Sequence, residues 1–402
     1  MYTDYLGNGV HRSAVGCLYM IAENGRGLPQ MTPVLGLEDY DLLTGLSFVD
    51  GYRSANEYLS SNTTNVTTAV FNRMYVRPGL SVLPSYSSTL RDVYGAEAQA
   101  IASAEQTAAD INSAVAEVTR GKIAELVAPE QLYGADLVLV SALYFKALWQ
   151  HPFVADEHPT PFLTADGERQ LQMMSLPETT YLLYANMTQF EVVALPYSDP
   201  AFSLLLLRPA QRSMDSVHAL LEMLDTLDMA DIFNHMYGID MQVTMPKFKV
   251  ETEYSLPDQL TTLGIQEIFS PGADFSRLTE DGGIFVSDII HKVFIEVTEE
   301  GTEAAGAGAA FFTRSMPMNF VVDRPFVAVV YNQKLGLNLF SAYVASPESG
   351  GEDELEADTV YDRPQRPSFL PNFSRLKAAI AKLDGNRLRE AFSAAGPGQE
   401  LN

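Results

Sequence analysis

The feature that most constrains this chain is a near-continuous apolar run, Leu137-Val-Leu-Val-Ser-Ala-Leu-Tyr-Phe-Lys-Ala-Leu-Trp149. It is too long and too apolar for a strand with one face in water, so it predicts a central strand buried on both faces. Such a strand needs a sheet around it and a layer above and below, and the flanking sequence supplies candidates for both. Val70–Val76 alternates and carries aromatics, as a strand does. Val192–Tyr197 and Phe202–Pro209 predict a hairpin turning over Tyr197–Ala201. Val243–Phe248 reads as a strand interrupted by Pro246, and Ile284–Val297 as a long strand. Phe320–Val329 and Leu337–Tyr343 supply the last ones. Residues 13–24, 28–37, 104–120 and 213–227 have helical patterning. In the third of these Ile111, Val115 and Val118 share a face and Gly121 ends the helix.

At 402 residues, 47% hydrophobic and 10% aromatic, the chain can bury a large core. A formal charge of −25 argues against nucleic acid or an anionic membrane as partner. The single cysteine, Cys17, allows no internal disulfide and reads as a buried, inert thiol. No apolar run reaches membrane-spanning length, and Met1-Tyr-Thr-Asp-Tyr5 does not look like a signal peptide. Sequons at Asn62, Asn65, Asn186 and Asn372 would fit secretion, although such triplets also arise by chance. There is no Gly-X-Ser-X-Gly elbow, His-Glu-X-X-His, Cys-X-X-Cys or phosphate-cradling glycine loop, and the six histidines are scattered. Neither an enzyme nor a bound metal or cofactor is expected.

Residues 299–320 are unusual. From Gly301 to Ala310 nothing is larger than alanine except Thr302 and Glu303. Glycine and alanine are poor strand formers, so this run cannot hold itself in a sheet. It has no proline, so nothing bars it from joining one. Read as a strand, Thr302, Ala304, Gly306, Gly308 and Ala310 share one face, all small and uncharged. Glu303, Ala305, Ala307 and Ala309 share the other. Phe311 and Phe312 follow, then Arg314-Ser315. Composition alone would also allow a flexible Gly/Ala linker.

Glu299, Glu300, Gly301, Thr302, Glu303, Ala304, Ala305, Gly306, Ala307 and Gly308 together resemble the hinge of the reactive-centre loop of inhibitory serpins. Other motifs run in the same order as the family's, from about Ser13 to Ser346. They include Asn72-Arg-Met-Tyr-Val76, Ile111-Asn112 with Thr119-Arg-Gly-Lys-Ile123, and Tyr144-Phe-Lys146 with Trp149. Pro152-Phe153, Met173-Met174, Ala273-Asp-Phe-Ser276 and Asp323-Arg-Pro-Phe326 complete the series. The resemblance implies an α+β serpin fold of three β-sheets with surrounding helices and an exposed reactive-centre loop. It assigns residues 1–347 to that domain and leaves 348–402 as an acidic linker and an amphipathic C-terminal tail. Most of the family's first helix is missing, and Gly9-Val-His-Arg-Ser13 stands where its Ser-Pro motif belongs, Ser13 matching the second serine.

The resemblance further implies a suicide-substrate mechanism. A serine protease attacks the loop, forms an acyl-enzyme, and is dragged away as the freed hinge enters the main sheet. Twelve residues at ~3.3 Å each span ~40 Å. Counting back from Asp323 puts the reactive centre at Arg314, and counting forward from Glu299 puts it at Ser315. Arg314-Ser315 is favoured because a guanidinium can pair with a carboxylate in a trypsin-like pocket; Ser315-Met316 is the other choice. Trp149 is expected where the hinge meets the sheet, and Ser13, Ser141 and His291 where the sheet opens. Ser141 replaces the family's usual asparagine and Gly308 its usual threonine. The expected partner is a trypsin-like serine protease bound to a monomer, outside the cell or, alternatively, in the cytoplasm. A non-inhibitory carrier, chaperone or storage serpin is the rival reading.

Overall fold

The computed structural model describes residues 53–54, 56–59, 66–262, 264–300 and 317–347. The strands in chain order are β1 (Val66–Val76), β2 (Glu97–Ala100), β3 (Leu137–Ala147), β4 (Val154–Ala155), β5 (Thr160–Thr164) and β6 (Gly167–Leu171). Then come β7 (Met173–Ser175), β8 (Thr180–Asn186), β9 (Phe190–Pro196), β10 (Phe202–Pro209) and β11 (Tyr237–Pro246). The last five are β12 (Phe248–Ser255), β13 (Val286–Val297), β14 (Met318–Val321), β15 (Phe326–Asn332) and β16 (Leu337–Val344). Three helices matter here: α1 (Pro84–Tyr94), α2 (Ala104–Val118) and α3 (Met214–Met223).

Among the described residues these strands form three sheets. The first has five strands in the order β12-β13-β3-β1-β2. The second runs β16-β15-β10-β9-β8-β11-β7-β4, with β14 paired to β11, and the third is the β5-β6 hairpin. The apolar run forms β3 in the middle of the five-stranded sheet, with Lys146 its one partly exposed member. Val138, Val140, Ala142 and Tyr144 face α2, where they pack with Ile111 and Val115. Leu137 and Leu139 face a cluster beneath α1, and Leu143 and Phe145 face the second sheet. Burying each such side chain contributes roughly 1.5–3 kcal/mol, which is why this strand cannot sit at an edge.

The expected hairpin forms from β9 and β10, and the expected strands at β1, β13 and β16 are present. Several boundaries differ from expectation. Helix α2 ends at Val118, which is exposed; Thr119 and Ile123 are buried in its place. The Thr119 hydroxyl donates to the Val115 carbonyl and accepts from the Ile123 amide. The chain then turns through Arg120 and Gly121, both at positive φ. The helix from Ser213 stops at Met223 and continues as a short 3-10 turn. The segment 320–329 divides into β14 and β15, because Arg324 in the intervening turn donates to the Pro209 carbonyl and fixes a bend there. The apolar run stops pairing at Ala147, so Trp149 lies past the strand end in a single bridge to Tyr197. The helices expected over 13–24 and 28–37, Cys17, and the tail after 347 lie outside the described residues.

Candidate functional site

Two parallel neighbours, β3 and β13, run side by side up the centre of the five-stranded sheet. Their pairing extends from Val286↔Leu137 to Phe294↔Tyr144 and stops there. Beyond it each strand keeps only its outer partner: Val297 is level with Phe248 and Ala147 with Val66. The two strand ends therefore part, leaving an open cleft of about 430 Å³ lined by Lys122, Tyr144, Lys146, Glu296 and Thr298–Glu300. Lys122 forms an ion pair with Glu296 across the outer face, at 2.5 Å. Among the described residues no other place in this sheet has two inner strands whose facing edges lack a partner.

The expected hinge begins at this mouth. Trp149 is buried, stacked on Tyr197 with ring centroids 4.5 Å apart and edge-on to Phe153. Its indole N–H donates to the Thr298 carbonyl at 2.9 Å, and its amide to that of Glu300 at 3.3 Å. The Phe153 amide donates to the Glu299 carbonyl at 2.7 Å, while the Glu299 side chain pairs with Lys247 at 3.0 Å. Burial pushes the Tyr197 phenol well above its ordinary pKa, so it stays neutral beneath the indole. Two backbone bonds, the indole bond and one ion pair thus fix the root of the segment that starts at Gly301. Replacing Trp149 with Phe keeps much of the stacking but removes the indole's hydrogen bond to the Thr298 carbonyl, at a cost of ~1–3 kcal/mol. A fall of a few degrees in the apparent melting temperature is expected; no change would mean the indole bond anchors nothing.

Lower in the sheet, Asn72, Ser141 and His291 stand level on adjacent strands: Asn72↔Ser141 and Ser141↔His291 are register pairs. All three are buried and, by alternation, on the face away from α2. Apolar neighbours lie on either side, Leu139 and Ile289 below and Leu143 and Val293 above. The Ser141 hydroxyl has no hydrogen-bond partner among the described residues. Of the expected site residues, then, Trp149, Glu299 and Glu300 come together at the mouth, and Ser141 and His291 in the row beneath. Ser13, the hinge residues Gly301, Thr302, Glu303, Ala304, Ala305, Gly306, Ala307 and Gly308, and the reactive-centre pair Arg314 and Ser315 lie outside the described residues.

The far end of the same segment is anchored by side chains that sequence reasoning did not single out. Strand β14 pairs with β11 over only four residues. Arg208 reinforces it: its guanidinium donates to the Val321 carbonyl at 2.7 Å and lies 4.1 Å above the Phe320 ring. Glu191 pairs with Arg208 and accepts from the Tyr184 hydroxyl. Arg212 pairs with Asp323 at 2.9 Å, next to the bend at Arg324. No local motif reveals these roles, since Val321, which Arg208 holds, and Asp323, which Arg212 holds, are each more than a hundred residues away.

Residues 13–347 match the family described as Serpin (serine protease inhibitor), and the chain belongs to that family. It is similar to Iripin-8 of Ixodes ricinus, 30% identical over 345 residues, covering 82% of this chain and 84% of the relative. It is also 30% identical to the leukocyte elastase inhibitor of Sus scrofa over 312 residues, covering 74% and 82% of the two chains. Among solved structures, Serpin48 of Tenebrio molitor matches at a TM-score of 0.70 with 25% identity, covering 87% and 93%. Uncleaved ovalbumin matches at 0.72 with 23% identity, covering 84% and 92%, a likeness of fold. The protein therefore has the α+β serpin fold and belongs to a family of protease inhibitors, not of enzymes. No helix among the described residues is long and apolar enough to cross a membrane.

Proposed function

We propose that this serpin is a suicide-substrate inhibitor of trypsin-like serine proteases, cleaved at Arg314-Ser315. The observation that carries the reading is the open mouth between β3 and β13, whose lip is Glu300, the residue before the small-residue run. A strand folding back from Glu300 between these two parallel strands runs antiparallel to both. It replaces their eight register pairs with pairing on each of its own sides. Residues 301–310 suit that path because they bring no bulk. Their one charge, Glu303, falls on the same side as Lys122 and Lys146 if Thr302 and Ala304 face the apolar interior. The intact loop is tied at both ends, by Trp149 and Lys247 at one and Arg208 at the other, so it cannot travel until a bond between them is cut.

On this reading the protease forms its acyl-enzyme on Arg314, the hinge inserts, and the linked protease is carried to the other end of the sheet. The distorted oxyanion site then deacylates slowly; loss of one oxyanion donor alone costs ~10²–10³ in rate. Ser141 and His291 hold the sheet closed below the mouth until insertion parts them, and Ser13 is assigned to the same sheet-opening role by the family resemblance alone. Residues 1–347 act as one unit and 348–402 as an appended tail. The inhibitor works as a monomer outside the cell, in keeping with the exposed sequon at Asn186.

Incubation with trypsin tests this directly. A covalent complex that survives boiling in detergent is expected, and the fragment released on its slow breakdown should begin at Ser315. Cleavage with no such complex would mark the chain as a substrate and leave it among the non-inhibitory members. A fragment beginning at Met316 would move the reactive centre to Ser315.

A further inference from the structure

Beside the distal root of the loop lies a flat, exposed face that the fold itself does not use. In β8, β11 and β14 the residues Leu182, Tyr184, Met241, Val243 and Phe320 point into the core. Strand alternation sends Tyr181, Asp240, Gln242 and Asn319 to the other face. The register brings these four together, with Tyr181 level with Asp240 and Gln242 level with Asn319. Tyr181 is 69% exposed, Gln242 and Asn319 are exposed, and Asp240 is half-buried. Tyr181 is not a loose side chain. Its ring lies over Gly238, where an added Cβ would come within 2.0 Å of the phenol oxygen. A large aromatic held in place yet left in water loses little freedom on being covered, which is what an interface anchor requires.

We propose that this face is a second contact surface for the protease that cuts the loop, with Tyr181 as its anchor. The inference rests on the inhibitor reading above for the identity of the partner. Size and reach both favour it. A stable protein–protein interface takes about 800 Å² and some 20–30 residues from each side. Residues 301–310 must stay free to enter the sheet, and 311–316 are too few to supply such an interface. The balance must come from the surface around Pro317, where the loop rejoins the body. Met318 is level with Met241, and Met241 with Thr180, the neighbour of Tyr181. Two strand spacings and one residue step put Tyr181 within ~15 Å of Met318. Arg314 lies four residues before Met318, at most ~14 Å away by any path. A patch of 800 Å² is ~32 Å across, so a protease seated on Arg314 and the distal limb reaches this face. Tyrosine is the residue type most enriched in such anchoring positions, together with tryptophan and arginine.

The test uses the whole chain and trypsin. The second-order rate at which Arg314-Ser315 is consumed, summed over covalent complex and cleaved product, is compared for wild type, Tyr181→Ala and Tyr181→Phe. The expected result is a roughly tenfold loss in Tyr181→Ala, near-wild-type consumption in Tyr181→Phe, and an unchanged ratio of complex to cleaved product in both. Consumption of Tyr181→Ala within twofold of wild type overturns the proposal. Because consumption is scored whether or not a complex forms, a wild type that is only cleaved refutes the inhibitor reading and still measures this contact. Should Tyr181→Ala fail to fold, Asn319→Ala on the same face carries the comparison, with a severalfold loss expected and an unchanged rate overturning the proposal.

Discussion

Cutting the Arg314-Ser315 bond is expected to raise the melting temperature of the protein by at least ~4 °C. Slowing deacylation by 10²–10³ means distorting the protease by ~3–4 kcal/mol, and that work must come from the inhibitor's own change of state. On the inhibitor reading, the intact fold is therefore held above its lowest free energy by at least that much, trapped kinetically by the tethers at Trp149 and Arg208. At ~1.4 °C per kcal/mol, from ~2.1 cal/mol/K of unfolding entropy per residue over the 335 residues of the serpin domain (13–347), the nicked form gains ~4 °C or more once the trap is sprung. The gain has a structural source in the unpaired edges of β3 and β13 beyond Tyr144 and Phe294, which acquire a partner strand. Thermal unfolding of intact and trypsin-nicked protein, followed by circular dichroism, makes the comparison. Equal melting temperatures would mean that no such reserve exists and that this chain shares the family's shape without its action.

Much of the architecture was legible because the strands that matter most are buried on both faces. Leu137–Ala147 has no solvent face to dilute its hydrophobicity, so its central position followed from composition alone. Val286–Val297 was legible from its length and its apolar residues, although Ser287, Asp288, Lys292 and Glu296 along it are partly exposed. Strands with one wet face were harder. The first half of β11, with Asp240 and Gln242, and the whole of β8, with exposed Tyr181, were not expected as strands, since their apolar alternation is broken by partly exposed residues. Val118 was misplaced because a helical wheel does not know that the helix ends there; Thr119 and the positive-φ turn through Gly121 decide which side chain is covered. At the site, the fitness of residues 301–310 for insertion could be read from side-chain size. The place of insertion could not. It depends on where β3 and β13 stop pairing and on Trp149 reaching Thr298, both relations between segments about 150 residues apart. The pair of Glu299 with Lys247 and the clamp of Arg208 on Val321 are invisible for the same reason: charge in a sequence shows no partner until the chain is folded.

The two faces of the hinge are expected to respond oppositely to charge, and Ala304→Glu is the substitution with the largest effect. In the inserted strand, Glu303 facing Lys122 and Lys146 forces Thr302 and Ala304 to the opposite side, toward Leu143, Phe145, Val293 and Ile295. A carboxylate there is buried without a partner, which costs ~3–5 kcal/mol. Insertion through that state slows by about 10²–10³-fold at 1.4 kcal/mol per factor of ten, while the acyl-enzyme hydrolyses at its ordinary rate. The protease then wins the race. Ala304→Glu should be cut by trypsin as fast as wild type, because nothing near Arg314 has changed, yet need at least ten times more molecules per protease inhibited. Ala305→Glu, on the lysine side of the strand, should keep most of its inhibition. Titration of trypsin activity against inhibitor concentration reads both numbers. If Ala304→Glu inhibits as well as wild type, or if Ala305→Glu is the worse of the two, the segment does not enter between β3 and β13 in this orientation.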